Sequence, residues 1–371
     1  MTTKPIGLYV HIPFCVRKCN YCDFCSYPER DVSDFRRAYY IDALIREIRG
    51  YKREERIAIS TVFFGGGTPT LLEPRELERI FEAIRDVFDI LPAAEITLEA
   101  NPGTVTEQKL SAYRRFGVNR ISIGLQSIHE NELKKLGRIH SYDDFLQTYR
   151  LARTAGFDNI SVDLMYGIPE QTLSSFAETL DGIISLGPEH ISAYGLIVEE
   201  GTPFYAEREG LEIPDEDTEC DMYELACERL SGTGYSHYEI SNYAKEGRAS
   251  EHNLHYWRRE EYIGVGVAAH SYFGGVRYSN CESLSSYIQG LAPEEESDTN
   301  AAFEYAMLAL RLAEGLSLSD YASRFSHSFL LGREEAIDRF VTLGYMSRTK
   351  DRLALTDRGM YVSNAILSEL L

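Results

Sequence analysis

Between residues 6 and 198 the chain alternates, six times, a short β-branched or aromatic run with a stretch of helical period. The runs are IGLYVHIP (6–13), TVFFGG (61–66), EITLEA (95–100), NRISIGLQ (119–126), NISVDLMYG (159–167) and HISAYGLIV (190–198). Within residues 32–50, Ile41, Leu44, Ile45 and Ile48 recur at i, i+3, i+4 and i+7, which makes one apolar helix face. Residues 74–89, 105–116, 142–156 and 171–186 carry the same period. Strands that alternate with helices run parallel, because each helix carries the chain back across the sheet. The expected fold class is α/β, a parallel barrel or a doubly wound sheet.

The unusual polar residues fall together on this frame. A run of cysteines follows the first strand and GGGTP (65–69) follows the second. Glu99 ends the third strand, Gln126 ends the fourth and Asp163 lies late in the fifth. In parallel barrels the C-terminal strand ends form the face on which active sites are built. Residues far apart in sequence are therefore expected at one mouth. Taken singly, each also has a plain structural reading. GGGTP serves as a tight turn, Glu99 as a cap on the NPGT that follows, and Gln126 and Asp163 as buried polar groups held by loop backbone.

The cysteine run is CVRKCNYCDFC, with Cys15, Cys19, Cys22 and Cys25 inside eleven residues. The N-terminus enters an apolar strand without the pattern of a secretory signal, so the expected location is the cytoplasm, where thiols stay reduced. Structural zinc usually takes two short ligand pairs a dozen or more residues apart, so it is the lesser reading of this run. Three thiolates at the spacing C-x3-C-x2-C can hold three irons of a [4Fe–4S] cluster and leave the fourth for a non-protein ligand. The net charge of -20 argues against a broad nucleic-acid footprint and against an anionic membrane surface. No apolar run approaches the ~20 residues of a membrane span.

YVHIPFCVRKCNYCDF (9–24) resembles the signature of the radical S-adenosylmethionine (SAM) family, whose fold is a partial (β/α)6 barrel. The resemblance implies Cys15, Cys19 and Cys22 as cluster ligands. It also implies SAM chelated on the open iron and cleaved to a 5′-deoxyadenosyl radical. A fourth protein thiolate would exclude SAM, so Cys25 is expected to be an extra thiol near the site. GGGTPT, LEANP, RISIGLQS and VDLMYGIPEQT extend the resemblance to the oxygen-independent coproporphyrinogen III oxidase group and its haem-chaperone branch. That group implies Gly66, Gly67 and Thr68 against the amino group of SAM, Tyr9 in contact with SAM, and Glu99, Gln126, Arg138 and Asp163 lining the SAM sites. Arg138 alone also reads as a solvated surface charge, and His11 alone as structural.

Two features resemble the chaperone branch more than the decarboxylases. Only eight residues precede Tyr9, and Phe24 stands where the decarboxylases carry a further cysteine. HNLHYW (252–257) resembles the H-N-x-x-Y-W motif of the haem chaperones. It implies haem contact at His252, with His255 beside it, because histidine is an axial ligand of haem iron and aromatic rings stack on porphyrin. The other reading is a packed aromatic corner. His270, in GVGVAAHS, matches a region near the SAM site.

The expected organisation is a barrel over 1–235, a Gly- and Tyr-rich connecting region over 236–297, and a smaller, mainly helical domain over 298–371 after the linker LAPEEESDTN. The hairpin pattern YMSRTKDRLALT (345–356) gives that last domain a winged-helix look. The expected function is a haem chaperone that carries a [4Fe–4S] cluster, SAM and haem. It would deliver haem to respiratory haem apoproteins, docking at a membrane only transiently. The alternative is an oxygen-independent coproporphyrinogen III dehydrogenase, and whether the chain is an enzyme stays open. A radical SAM methyltransferase and a DNA-binding regulator are further rivals, the second disfavoured by charge.

Overall fold

The structure is a computed structural model of the chain, and residues 4–296 and 300–371 are described. The six expected strands are β1 (Ile6–Ile12), β2 (Ile57–Gly66), β3 (Phe88–Ala100), β4 (Arg120–Gln126), β5 (Ile160–Tyr166) and β6 (His190–Gly195). They pair in sequence order and parallel throughout. The helices α1 (Asp34–Gly50), α2 (Pro74–Val87), α3 (Glu107–Phe116), α4 (Tyr142–Thr154) and α5 (Leu173–Leu186) make the crossovers. Ser33, Thr106, Ser141 and Thr172 start four of them by accepting a hydrogen bond from the first-turn backbone. Helices cover the outer face of the sheet and the other face turns into the barrel; every residue of β4 is buried.

β2 and β3 begin earlier than the sequence pattern indicates. Their register runs from Ile59 opposite Ile90 to Thr61 opposite Glu95, so β3 carries extra residues there. Pro92 lies among them, where a residue with no N–H to donate breaks no ladder bond.

The larger departure is beyond residue 235. Tyr262–Val265, here β7, adds a seventh parallel strand beside β1, with Gly7 opposite Tyr262. Three antiparallel strands, His270–Phe273, Val276–Ser279 and Glu294–Glu295, extend the sheet past β7. At the other edge Asn242–Ala244 pairs with β6 and Ser236–Glu239 pairs outside it. Twelve strands thus form one open sheet, a partial barrel. The boundary expected at 235/236 does not divide it, because strands from both sides share its ladder. The boundary expected at 297/298 lies outside the described residues. The helices α6 (Glu216–Ser231) and α7 (Glu251–Trp257) pack on this sheet.

The C-terminal region has the order helix (Ala301–Ala309), strand (Leu316–Ser317), helix (Leu318–Phe325), helix (Glu334–Thr342), hairpin (Met346–Arg348 with Arg352–Leu355). This is a winged-helix topology. Its third helix opens on Glu334 and Glu335, which suits no phosphate backbone. No helix among the described residues is long and apolar enough to cross a membrane.

Candidate cluster and cofactor site

The loop that leaves β1 is fixed at several points. Phe14–Cys15 pairs with Tyr27–Pro28, and Tyr27 N donates to Pro13 O at 2.7 Å, which closes the loop. In its middle, Asn20 N donates to Leu136 O and Asn20 Nδ2 to Lys135 O, each at 2.9 Å. Tyr21 packs against a separate apolar cluster of Leu136, Met165, Ile168 and Phe204. At the far end the His11 ring bonds Cys25 O at 2.8 Å and the Tyr9 hydroxyl at 2.9 Å. All seven cysteines of the chain are free thiols. Burial pushes the Cys15 thiol up, and burial together with Cys19 pushes Cys22 up to about 11. Such thiols keep their protons in the metal-free chain, and metal binding displaces them.

A relay of side chains ties two of these thiols to the barrel mouth. Arg138 Nη1 points at Cys19 Sγ, 3.6 Å away, and Nη2 donates to Asn101 Oδ1 at 2.7 Å and to Gly124 O. Asn101 Nδ2 donates to Thr68 Oγ1 at 2.7 Å, and Thr68 Oγ1 donates to Cys15 Sγ at 3.6 Å. Arg138 is thus held against the loop, with its Nε buried and unpartnered among the described residues, and is not a solvated surface charge. Asn101 was not singled out from sequence, although it stands in LEANP. Asn101→Leu removes one partner each from Arg138 Nη2 and Thr68 Oγ1, which keep Gly124 O and Cys15 Sγ, at about 1 kcal/mol for each lost bond. The expected result is a lowered denaturation midpoint in urea at unchanged slope.

Thr68 N donates to Phe14 O at 2.7 Å and Gly67 N to Ile12 O at 2.8 Å, so the glycine turn is stitched to the strand leading into Cys15. A Cβ on Gly67 would lie 2.6 Å from Phe14 O, and one on Gly66, at φ +107, 2.4 Å from the His11 ring. Both positions require glycine for the protein's own packing, whatever binds there. Gly66 N donates to Glu99 Oε2 at 3.1 Å. Burial, with Asp163 nearby, pushes Glu99 up to about 8. Burial also raises Asp163, which accepts from Ser122 Oγ at 3.1 Å. Gln126 is buried at φ +76, a conformation few side chains adopt, and accepts from the Tyr194 hydroxyl at 2.9 Å. Tyr194, at the end of β6, was also missed; a lone tyrosine in a strand run carries no signal of this kind.

A cavity of about 660 Å³ opens beside the Cys25 end of the loop, walled by Tyr9, Phe24, Cys25, Tyr256, Tyr262 and His270 among others. Cys15, Cys19 and Cys22 do not line it, and neither does His252. The sequence expectation for His252 therefore needs correction. His252 is buried at 1% exposure, its Nδ1 bonded to Thr61 Oγ1 and its Nε2 to the Tyr256 hydroxyl, each at 2.8 Å. Burial, then the neighbouring His255, lowers its pKa to about 3. A neutral ring with both nitrogens engaged has none to offer to iron. Its role is the packed corner: it fixes α7 to β2 and holds Tyr256 in the cavity wall.

This barrel and thiol loop define a radical SAM protein. The model of the radical SAM superfamily matches residues 9–183, and that of the HemN C-terminal domain matches residues 297–362. The solved structure of coproporphyrinogen III oxidase (HemN) from Escherichia coli shares the fold, with a TM-score of 0.85 and 24% identity over 100% of this chain and 91% of that one. The heme chaperone HemW of Lactococcus lactis is 33% identical over 100% of this chain and 98% of its own length. Those of Bacillus subtilis and E. coli are 34% and 35% identical over 98% of this chain and 98% and 97% of their own. The chain belongs to the haem chaperone HemW family. Its superfamily implies a [4Fe–4S] cluster and SAM, and three free thiols on a pinned loop with a guanidinium at Cys19 fit that group.

Proposed function

We propose that this chain is a cytoplasmic haem chaperone, which takes up haem and hands it to an acceptor haem apoprotein, docking at a membrane only transiently. Cys15, Cys19 and Cys22 would hold a [4Fe–4S] cluster with SAM on its fourth iron. Full-length similarity to proteins named heme chaperone HemW supports the first part. The observation that carries it is the open cavity of about 660 Å³ beside Cys25, whose wall mixes Tyr9, Phe24, Tyr27, Tyr256 and Tyr262 with charged and polar groups. That volume suits a small-molecule ligand. None of Glu99, Gln126, Arg138 or Asp163 lines it, while Tyr9 does, which supports a cargo place that adjoins the SAM place at Tyr9.

When bound, SAM supplies a sulfonium that an electron from the cluster can cleave to a radical. The chain's own residues bind and orient it. Glu99, next to the Gly66–Gly67 backbone, offers a carboxyl to an ammonium or to ribose hydroxyls. Arg138 offers a fixed positive charge beside Cys19, which suits both thiolate and substrate carboxylate. Thr68, Gln126 and Asp163 complete the polar lining, with Tyr9 between this lining and the cavity.

The test is anaerobic. The reconstituted chain is loaded with haem and mixed with an apo-acceptor, and the acceptor's Soret band is followed after separation. A parallel reaction contains SAM, reductant and coproporphyrinogen III and is resolved by chromatography. Haem transfer without decarboxylated porphyrin is expected. Decarboxylation over many turnovers would instead make the chain a biosynthetic dehydrogenase.

A further inference from the structure

We infer that His270 is the axial ligand of the haem iron, with Glu296 as the group that orients its ring. The inference rests on the haem-chaperone reading above. His270 is the cavity's open nitrogen donor: its side chain is 62% exposed, whereas His11, the other histidine in the wall, is buried with both nitrogens engaged. The His270 Nδ1 lies 2.9 Å from Glu296 Oε1. An ionised carboxylate only accepts, so Nδ1 carries the proton and, in the neutral ring, Nε2 is the nitrogen with a lone pair. A histidine that donates one ring N–H to a carboxylate and presents the other nitrogen is the arrangement metal-ligating histidines use.

The tyrosine hydroxyls and the thiol in the wall, which could compete for iron, are engaged, whereas Ser26, Asp23 and the Glu282 carboxyl offer oxygen and no nitrogen. The Tyr27 hydroxyl donates to Glu282 O at 2.8 Å, that of Tyr256 meets His252, and that of Tyr262 meets Arg277. The Cys25 thiol faces Glu282 O at 3.4 Å, and burial raises its pKa. Lys18 is the cation in the wall and suits a propionate, and Tyr9, Tyr256 and Phe24 supply apolar faces for a porphyrin.

The fold holds His270 firmly at its backbone. It starts the strand His270–Phe273, opposite Ser279. A Cβ on Gly264 would lie 2.1 Å from His270 O, so only glycine lets β7 pass this closely. The turn before it is fixed by Glu47, which accepts from Gly266 N at 2.9 Å and from Asn280 Nδ2 at 2.7 Å. The ring is open and its support is rigid, as a site that binds and releases cargo requires.

The experiment is a haem titration of the full, cluster-reconstituted chain, read by absorbance and resonance Raman. The wild-type chain is expected to bind haem with a histidine-ligated spectrum. His270→Ala is expected to lose that spectrum and weaken binding more than Glu296→Gln does, with iron content of the cluster unchanged. Added imidazole is expected to restore the spectrum in His270→Ala, which separates ligand loss from misfolding. Glu296→Gln is expected to weaken binding about tenfold and to lower the iron–histidine stretching frequency. Wild-type affinity and spectrum in His270→Ala overturn the assignment, as does a ligand signal lost on Cys25→Ala instead. A wild-type chain that takes up no haem overturns the chaperone reading itself, and the ligand assignment with it.

Discussion

Alanine at Cys15, Cys19 or Cys22 is expected to leave the reconstituted chain without its four-iron cluster, while Cys25→Ala keeps it. The three thiols sit on one loop tied through its backbone to Pro13, Leu136 and Phe204 and through the Asn20 side chain to Lys135. Removing any one leaves two of the four irons without a protein ligand, and the remaining two thiols do not hold the cluster. Cys25 lies on the cavity side, its thiol 3.4 Å from Glu282 O and 3.8 Å from the Tyr27 hydroxyl. Iron and acid-labile sulfide, with the visible absorbance of the cluster, measure the outcome. Cys15 is buried, so Cys15→Ser is the companion variant that keeps the side-chain shape. Loss of iron in both Cys15 variants marks a ligand; loss in Cys25→Ala would falsify the three-ligand set.

The parts of the fold that were legible in sequence are those made by neighbours along the chain. β4, RISIGLQ, puts Ile121, Ile123 and Leu125 in the core and alternates them with Ser122 and Gln126, which bond Asp163 and Tyr194 on the site side, a local period of two. Ser33, Thr106, Ser141 and Thr172 announce helix starts at the positions where helices begin. β7 is four residues, YIGV, in a stretch rich in glycine and tyrosine, and its partner β1 lies at the other end of the barrel sequence. No local period marks it. The same division holds at the site. Three thiols on one loop are a local pattern. The wall of the cavity joins residues 9–27 to residues 256–282, and only the sheet brings these together. HNLHYW was visible as a pattern, yet the partners of His252, Thr61 on β2 and Tyr256 one turn on, decide what it does. Arg138 is the converse case, since its sequence context allows a surface charge and its contacts with Asn101 and Cys19 do not.

Glu99→Gln is expected to stabilise the SAM-free chain increasingly as pH rises from about 5 to about 8. Burial, with Asp163 adding repulsion, raises Glu99 from its ordinary value of 4.5 to about 8. A carboxyl raised on folding binds its proton more tightly in the folded chain than in the unfolded one. Its contribution to stability is complete below the unfolded value and is lost as pH climbs through the folded one. Within that window wild-type stability falls by about 1.4 kcal/mol per pH unit from this group alone. Glutamine keeps an acceptor for Gly66 N and does not titrate, so the gap between variant and wild type widens with pH. Urea unfolding at a series of pH values reads the gap directly, and a gap that stays flat or narrows means that Glu99 is already ionised. The same physics bears on ligand binding. A cationic group brought beside Glu99 favours the charged carboxylate, so binding near neutral pH should expel a proton. Calorimetry in buffers of different ionisation enthalpy detects that proton, and it should vanish in the glutamine variant. Because that ionisation costs free energy near neutral pH, binding of a positive ligand beside Glu99 should tighten as pH rises toward about 8 and level off above it.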